Sequence, residues 1–95
     1  MVIIGRRWFD RIPGNTYHSA ELLREKEGGG YEQLARVPFA YGNGDQYQQT
    51  AFMEAVKLEL YKDTPEDWRK FHFSRESGGD GHLFRVSDVG RRKDL

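Results

Sequence analysis

The clearest periodicity in the chain lies in its middle. Apolar side chains recur at helical spacing from about residue 45 to residue 61, and charged side chains occupy the opposite side. Asp45 precedes this segment as an N-cap, and Gln48 three residues later completes a capping-box pattern. We therefore predict one amphipathic helix of about 25 Å over this range. The residues expected to face inward are Ala51, Phe52, Ala55 and Val56.

The first part of the chain carries a strand pattern instead. Residues 2–9 are rich in β-branched and aromatic side chains, but both alternating faces are mixed, so the strand prediction rests on propensity. Pro13-Gly14 favours a type II turn, since proline presets φ and glycine accepts a positive φ. Residues 16–24 then form the return strand, which predicts a hairpin over residues 2–24.

Further elements are indicated on both sides of the helix. A third strand is expected over residues 31–41, at an edge of the sheet because Pro38 has no amide donor. Beyond the main helix, Thr64 and Pro65 have the residue types of a helix N-cap and first helical position, which predicts a short second helix. Two more strands are predicted over residues 69–75 and 82–86.

The predicted order is β-β-β-α-(short α)-β-β, which places the chain in the α+β class. One helix between two groups of strands implies a sheet covered on one side, either an open antiparallel sheet or a small OB-like barrel. The order of elements leaves both arrangements open. At 95 residues the chain has room for a single domain over residues 1–95. We expect residues 88–95 to be a mobile tail.

Composition narrows the class of protein. The chain has 37% hydrophobic and 32% charged residues, no cysteine and a formal net charge of zero. The lack of cysteine excludes a disulfide framework and a thiolate metal site. No stretch approaches the roughly 20 apolar residues of a membrane span, so we expect a cytoplasmic protein with no membrane partner. Zero net charge argues against a surface devoted wholly to nucleic acid, but it permits a local basic patch.

Candidate catalytic and metal-binding residues are few. His18, His72 and His82 fall in or beside predicted strands, but their spacing matches no metal motif. Ser19 follows His18, yet adjacent strand residues point to opposite faces, so the two do not form a nucleophile and base. We therefore predict no catalytic, cofactor-binding or metal-binding residue, and no enzyme. A hydrolase built on the histidines is an alternative only if their side chains converge in the fold.

The most suggestive surface is the predicted hairpin, where arginines are interleaved with aromatic residues. Single-stranded nucleic acid binding uses such interleaving, because charge follows the backbone and rings stack on bases. The alternative is that the rings belong to the core and the arginines are solvated strand ends. Tyr, Trp and Arg also dominate protein–protein interfaces. The candidate partner-binding residues are Arg6, Arg7, Trp8, Arg11, Tyr17 and His18.

Three segments in the first half of the chain resemble segments of small uncharacterised phage-encoded proteins. They are Gly5-Arg6-Arg7-Trp8-Phe9, Gly14-Asn15-Thr16-Tyr17-His18-Ser19 and Val37-Pro38-Phe39-Ala40-Tyr41-Gly42-x-Gly44-Asp45-Gln46-Tyr47. The resemblance implies a small accessory protein in the cytoplasm of an infected bacterial cell, which binds and inhibits or redirects a host macromolecule. Inhibitors of CRISPR or other defence systems are one such class. No residue role comes with this resemblance.

Two hypotheses of function follow from these features. The leading one is a non-enzymatic protein that binds a host protein or protein complex. The alternative is a single-stranded nucleic-acid-binding protein that uses the arginine and aromatic residues of the N-terminal hairpin. A homodimer is compatible with either, since a free edge of a small sheet can pair across a two-fold axis.

Overall fold

The computed structural model describes residues 1–73 and 82–95. These residues form a four-stranded sheet of order β3-β2-β1-β4, with two helices packed on one of its faces. The predicted α+β class, with one main helix and a short second one, is confirmed. In chain order the elements are β1 (Val2–Asp10), β2 (Asn15–Glu25), β3 (Tyr31–Tyr41), α1 (Gln46–Lys57), α2 (Pro65–Phe73), β4 (Leu83–Val89) and a 3-10 turn (Arg92–Asp94).

The first two strands form the predicted hairpin, and their pairing continues without a shift to Asp10 opposite Asn15. The turn between them differs from the predicted type II turn. The Gly14 amide donates to the Asp10 carbonyl oxygen at 2.9 Å, and Asp10 Oδ1 accepts from the Ile12 amide at 3.1 Å. The side chain of Asp10 thus organises a wider turn. Gly14 still supplies the positive φ, at +74°.

The sheet is mixed and open. β3 pairs antiparallel with β2 and lies at one edge, where Pro38 is tolerated. β4 lies at the other edge and runs parallel to β1. A parallel pair needs a long connection between its strands, and here β2, β3 and both helices separate the two in sequence. Within the described residues β3 and β4 do not pair with each other, so the open sheet forms and the OB-like barrel does not.

Helix α1 lies across β1, β2 and β3, and its start differs from the predicted capping box. Asp45 occupies the N-cap position, but its side chain makes no capping hydrogen bond. Its φ of −93° and ψ of 13° are turn angles rather than the extended angles that aim a cap side chain at the first amides. Gln48 is buried, and its side chain hydrogen-bonds to Tyr47 and His72 instead.

The same helix ends at Lys57, four residues before the predicted end at 61. The amide of Glu59 donates to Val56 O at 2.9 Å, and the amide of Leu60 donates to Ala55 O at 3.0 Å. This is the hydrogen-bond pattern of a Schellman motif, which places its C′ residue in the left-handed region. That residue is Glu59, with φ of +62°. The prediction extended to residue 61 because Leu58 and Leu60 continue the helical spacing. In the structure both residues lie in this turn, beyond the end of the helix.

The second helix replaces a predicted strand. Thr64 caps it as expected, since its Oγ1 accepts from the Asp67 amide at 3.1 Å. The helix then continues to Phe73, so residues 69–73 are helical and the strand predicted over 69–75 is wrong there. Residues 74 and 75 lie outside the described residues. The alternation of two phenylalanines suggested a strand, but Trp68, Phe71 and His72 are spaced as one helix face.

The core lies between the sheet and the helices. Ile3 and Leu22 on the strands meet Ala51 and Ala55 on α1, and all four side chains are buried. A group of rings, which we term the aromatic hub, surrounds the fully buried Phe71. Its ring centroids lie 5.3 to 6.3 Å from that of Phe71, within the range of favourable aromatic pairs. The hub consists of Phe52, Tyr61, Trp68, Phe71, His82 and Phe84.

One glycine sets how closely α1 approaches the sheet. A Cβ atom placed on Gly5 would overlap the ring of Tyr47, the second residue of α1. Tyr47 is 2% exposed, so its ring is held in the space that the glycine leaves free. Glycine in a strand interior often marks such a close approach.

The final residues lie against the sheet face opposite the helices. The guanidinium carbon of Arg92 lies 4.4 Å from the ring centroid of Phe39, and Arg36 donates to the carbonyl oxygen of Leu95 at 2.7 Å. Both contacts are on β3, so the chain crosses from β4 at one edge to β3 at the other. The mobility expected of residues 88–95 stays a prediction. Among the described helices, neither has the length and apolarity to span a membrane.

Candidate partner-binding surface at the hairpin end of the sheet

The sheet register brings several chain segments together at one end, which we term the hairpin end. It comprises Arg7 and residues 9–16, 41–46 and 88–89. Trp8 pairs with both Tyr17 and Val89, while Tyr17 also pairs with Tyr41, so β1, β3 and β4 all finish here and β2 begins here. The Gly42 amide donates to the Thr16 carbonyl oxygen at 3.0 Å and fixes the loop that leads into α1.

Three large side chains of the hairpin end project into solvent. Ile12 is 97% exposed, Tyr41 is 71% exposed and Phe9 is 54% exposed. Ile12 sits in the turn, where no element covers it, while Phe9 and Tyr41 are at or next to the last residue of their strands. Single exposed apolar residues are ordinary, so the grouping of three at one end of the sheet makes this end the candidate site.

Two grooves flank the ring of Phe9. The first, the amide groove, has a volume of about 460 Å³, and the second, the charged groove, about 440 Å³. Phe9, Thr16 and Asn43 line both, so the grooves are continuous around the ring. The amide groove is completed by Gly14, Asn15, Tyr41, Gly42 and Gln46. The charged groove is completed by Arg7, Gly44, Asp88 and Val89.

The charged groove contains an ion pair of unequal exposure. Arg7 Nε lies 2.8 Å from Asp88 Oδ1, and Arg7 Nη1 donates to the Gly44 carbonyl oxygen at 3.3 Å. The Arg7 side chain is 27% exposed and the Asp88 side chain 76% exposed. The carboxylate is therefore the accessible charge, and the guanidinium positions it.

The hairpin end as a whole is not basic. It carries two positive charges, on Arg7 and Arg11, and three negative charges, on Asp10, Asp45 and Asp88. Its net charge is therefore −1. A phosphate backbone needs an excess of positive charge at its contact surface.

The other predicted site residues divide between the two faces of the sheet. Trp8 and Tyr17 lie opposite the helices, and they form a column with Phe39 that we term the aromatic column. Ring centroids are 5.9 Å apart for Trp8 and Tyr17 and 4.7 Å apart for Tyr17 and Phe39, with interplanar angles of 27° and 18°. Arg92 covers the far end of the column at Phe39.

The aromatic column is therefore largely self-contained. Tyr17 has a ring on each of its two faces, so a base cannot stack on it without moving a neighbour. Arg6 shares the face, since it pairs with Ser19 two residues from the Trp8–Tyr17 pair. Ser19 is 2% exposed, and its Oγ has no hydrogen-bond partner in the described part of the chain. A buried serine on this face shows that the face is covered locally.

His18 lies on the helix side of β2 and is 1% exposed. Its Nδ1 donates to the Gly42 carbonyl oxygen at 3.1 Å, and the Thr50 hydroxyl donates to Nε2 at 2.7 Å. Both ring nitrogens thus tie β2 to the β3–α1 loop and to α1. This predicted site residue is a buried structural link, not part of the exposed surface. Arg11, by contrast, is exposed in the turn beside Ile12.

The remaining histidines both contact rings of the aromatic hub but have different hydrogen-bond partners. His72 Nδ1 donates to Gln48 Oε1 at 2.6 Å. His82 Nε2 lies 2.6 Å from Tyr61 Oη, and its Nδ1 lies 3.4 Å from the Met1 nitrogen. Burial, and secondly the positive charge on the Met1 nitrogen, lower the pKa of His82 to about 4. Burial, and secondly the Asp67 carboxylate, raise the pKa of Tyr61.

Among residues 1–73 and 82–95, no group of three or more histidine or carboxylate side chains is placed so that it could hold a metal ion. The nucleophile and base pair of Ser19 and His18 is also not formed, because the two side chains face opposite sides of the sheet as expected. The described histidines act through the hydrogen bonds given above.

Sequence reasoning missed Phe9, Ile12 and Tyr41 as a group. One signal was available for Ile12, since an apolar side chain in a polar turn has no strand or helix to bury it. Phe9 and Tyr41 carry no such signal, because aromatic residues at strand ends are as often buried. Phe9 lies on the helix face and is exposed because α1 begins short of it, while Tyr41 pairs with Tyr17 on the opposite face of the sheet.

Comparison with known proteins found no family model, no curated protein and no solved structure that matches the chain.

Proposed function

We propose that this chain is a small non-enzymatic binding protein that docks its hairpin end against another protein. The observation that carries the proposal is the group of exposed side chains at that end: Phe9 at 54%, Ile12 at 97% and Tyr41 at 71% exposure. Full burial of one such side chain contributes roughly 1.5–3 kcal/mol. Three of them on one small surface supply the anchors that an interface needs.

Two further features support a protein partner. Arg11 stands in the turn directly beside Ile12, and arginine next to large apolar residues is typical of interface hot spots. The mixed charges of the hairpin end, with a net of −1, suit the polar rim of a protein interface. The resemblance to phage-encoded accessory proteins adds that the partner is a bacterial host protein or complex, such as a defence complex in the cytoplasm.

Site-specific photo-crosslinking tests this proposal. A benzoylphenylalanine replaces Ile12 in one variant and Met53 in a control, since Met53 is also exposed, at 43%, but lies on α1. Both proteins are expressed in bacteria and irradiated. We expect one protein to crosslink to position 12 and not to position 53, and Ile12→Ser to reduce its capture about tenfold or more. Equal crosslinking from both positions would contradict the proposal.

A second candidate function is single-stranded nucleic acid binding on the face opposite the helices. It is favoured by Arg6, Arg36 and Arg92, which lie on the same face of the sheet as the aromatic column. Since Tyr17 is already stacked on both faces, a base must stack at an end of the column, either on Trp8 or, after displacing Arg92, on Phe39. Fluorescence anisotropy with an oligothymidylate at low and high salt tests it. Salt-sensitive binding that Trp8→Ala weakens supports this candidate, and no binding at low salt excludes it.

Self-association is a separate prediction. β3 and β4 are the edge strands of the described sheet, and a pairing of edges across a two-fold axis would give the homodimer that the sequence left open. Sedimentation velocity across a hundredfold range of concentration distinguishes a monomer from a dimer.

A further inference from the structure

The shape and chemistry of the two grooves beside Phe9 indicate which kind of partner segment they bind. This inference rests on the proposed function. We propose that the grooves receive an extended segment of the partner protein, with side chains i and i+2 on either side of the Phe9 ring. The amide groove takes an aromatic side chain with a polar tip, and the charged groove takes a basic side chain.

The placement of the grooves fits an extended chain. The amide groove is completed by residues at the start of β2 and the end of β3, and the charged groove by residues of β4, so the two grooves lie on either side of Phe9 on β1. In a strand, side chains i and i+2 point the same way and are roughly 6.6–6.8 Å apart. An extended segment lying across Phe9 therefore directs one side chain toward each groove without bending.

The backbone around the grooves admits another main chain. Gly14 lines the amide groove with φ of +74°, whereas at Gly42 the space of a Cβ atom is already filled by the Gln46 side chain. A Cβ atom at Gly14 would have no atom within 4 Å, so the turn backbone there is open to an approaching chain. Glycine at such positions allows close contact between backbones.

The amide groove presents donors and acceptors that the fold does not use. The side chains of Asn15, Asn43 and Gln46 line it and make no hydrogen bond to another described residue. A carboxamide offers two N–H donors and one acceptor oxygen, which matches peptide groups and a tyrosine hydroxyl. The rings of Phe9 and Tyr41 supply apolar walls. A tyrosine side chain fits this groove, because its ring packs against the apolar walls and its hydroxyl hydrogen-bonds to the carboxamides.

The charged groove selects a basic side chain because of which charge is accessible. Asp88 is 76% exposed and uses only Oδ1 for Arg7, while Arg7 is 27% exposed and already contacts Asp88 and Gly44. A carboxylate accepts several hydrogen bonds, so Asp88 can bind a lysine and keep Arg7. An acidic side chain would instead meet the exposed carboxylate of Asp88, which repels it.

Titration of synthetic pentapeptides into the 15N-labelled full chain tests the proposal. The probe is acetyl-Gly-Tyr-Ser-Lys-Gly-amide, followed by amide shifts in two-dimensional NMR spectra. We expect weak binding, with the largest shifts at Phe9, Thr16, Asn43 and Asp88. A peptide with glutamate in place of lysine should bind about two- to fivefold more weakly, as expected for one exposed ion pair. A peptide with alanine in place of tyrosine should bind about tenfold more weakly.

Variants of the protein separate this inference from the proposed function. Phe9→Ala should abolish peptide shifts, with its NMR spectrum confirming that the chain stays folded, and Asp88→Asn should remove the preference for lysine over glutamate. Ile12 lines neither groove, so Ile12→Ser should leave peptide binding unchanged while it weakens capture of the partner. Absent peptide shifts, or equal shifts with the glutamate peptide, would overturn the inference. Shifts at the same residues from adenosine monophosphate instead would also overturn it, in favour of a nucleotide site. Crosslinking from position 12 in either case would leave the proposed function standing.

Discussion

The chain uses its aromatic residues in opposite ways at the two ends of the sheet. In the aromatic hub, Phe71 is fully buried and contacts rings from both helices and from β4. At the hairpin end, Phe9 and Tyr41 are more than half exposed, and the described chain leaves open grooves beside them. Burial is what makes an aromatic side chain stabilise the fold, and exposure is what makes it available to a partner. Stability and binding should therefore respond to different substitutions.

The largest expected effect on stability comes from the hub. Phe71→Ala removes a fully buried ring that touches five other rings, so we expect it to lower the free energy of unfolding by about 3–5 kcal/mol. Urea denaturation followed by circular dichroism measures this. In a domain this small the variant could unfold outright at 25 °C, and the milder Phe71→Leu then gives the graded value. A loss below about 1 kcal/mol would show that the hub is not the centre of the fold.

Stability should be nearly as sensitive to substitution where α1 packs closely against the sheet. Gly5→Ala forces a Cβ atom into the ring of the buried Tyr47, so we expect a loss of about 1–3 kcal/mol from overpacking. Gly90→Ala is the matched control, because a Cβ atom there has nothing within 4 Å and the residue has no positive φ. Equal urea midpoints for the two alanine variants would mean that the helix moves to make room at no cost.

The hub should also make stability depend on pH. His82 has a folded pKa of about 4, below the ordinary value of 6.5, because burial disfavours its charged form. Its contribution is fully present above pH 6.5, where both states are neutral. As pH falls from 6.5 to about 4, the unfolded chain binds the proton first, so stability is lost. We expect a loss of about 1–2 kcal/mol, less than the full shift implies because the site is partly screened by solvent.

His82→Gln isolates this effect from that of the carboxylates. Urea midpoints are measured for both proteins at pH 7.5, 5.5 and 4.5. The difference between them should narrow as pH falls, because only the natural protein loses the histidine contribution. A constant difference at all three pH values would show that His82 titrates normally in the folded state.

A substitution at the end of α1 should raise the free energy of unfolding instead of lowering it. Glu59 adopts φ of +62° at the C′ position of the Schellman motif, where a side chain is strained. Glu59→Gly should raise the free energy of unfolding by about 0.5–1 kcal/mol. Glu54→Gly serves as the contrast, since it lies inside α1 and should destabilise by a similar amount. Destabilisation by both glycines would show that the turn does not keep this conformation in solution.

The smallest effect on stability is expected at the hairpin end. Ile12→Ser alters a side chain that is 97% exposed, so the free energy of unfolding should change by no more than about 0.5 kcal/mol. The same variant should weaken partner capture strongly, as described above. A large loss of stability would mean that Ile12 is covered in solution, for instance by a second copy of the chain, and the comparison between the two ends would fail.

Residue patterns predicted much of the fold and little of the surface. The hairpin, the third strand with Pro38 at an edge, the main helix and the Thr64 cap are all local features, and each is confirmed. The strand predicted over 69–75 is wrong at residues 69–73, because alternating phenylalanines fit a strand locally, whereas packing of Phe71 among rings from distant segments selects a helix. The predicted capping box does not form, because the Gln48 side chain hydrogen-bonds to His72 and Tyr47 instead.

The sequence by itself determined the element types, the edge position of β3 and the sign and number of charges, because these follow from side-chain and backbone chemistry within a few residues. Tertiary structure decided which rings are buried. Trp8 and Phe9 are neighbours with equal strand propensity, yet one packs in the aromatic column and the other stands between two grooves. Adjacent strand residues face opposite ways, and what covers each face depends on where the helices and the final residues pack.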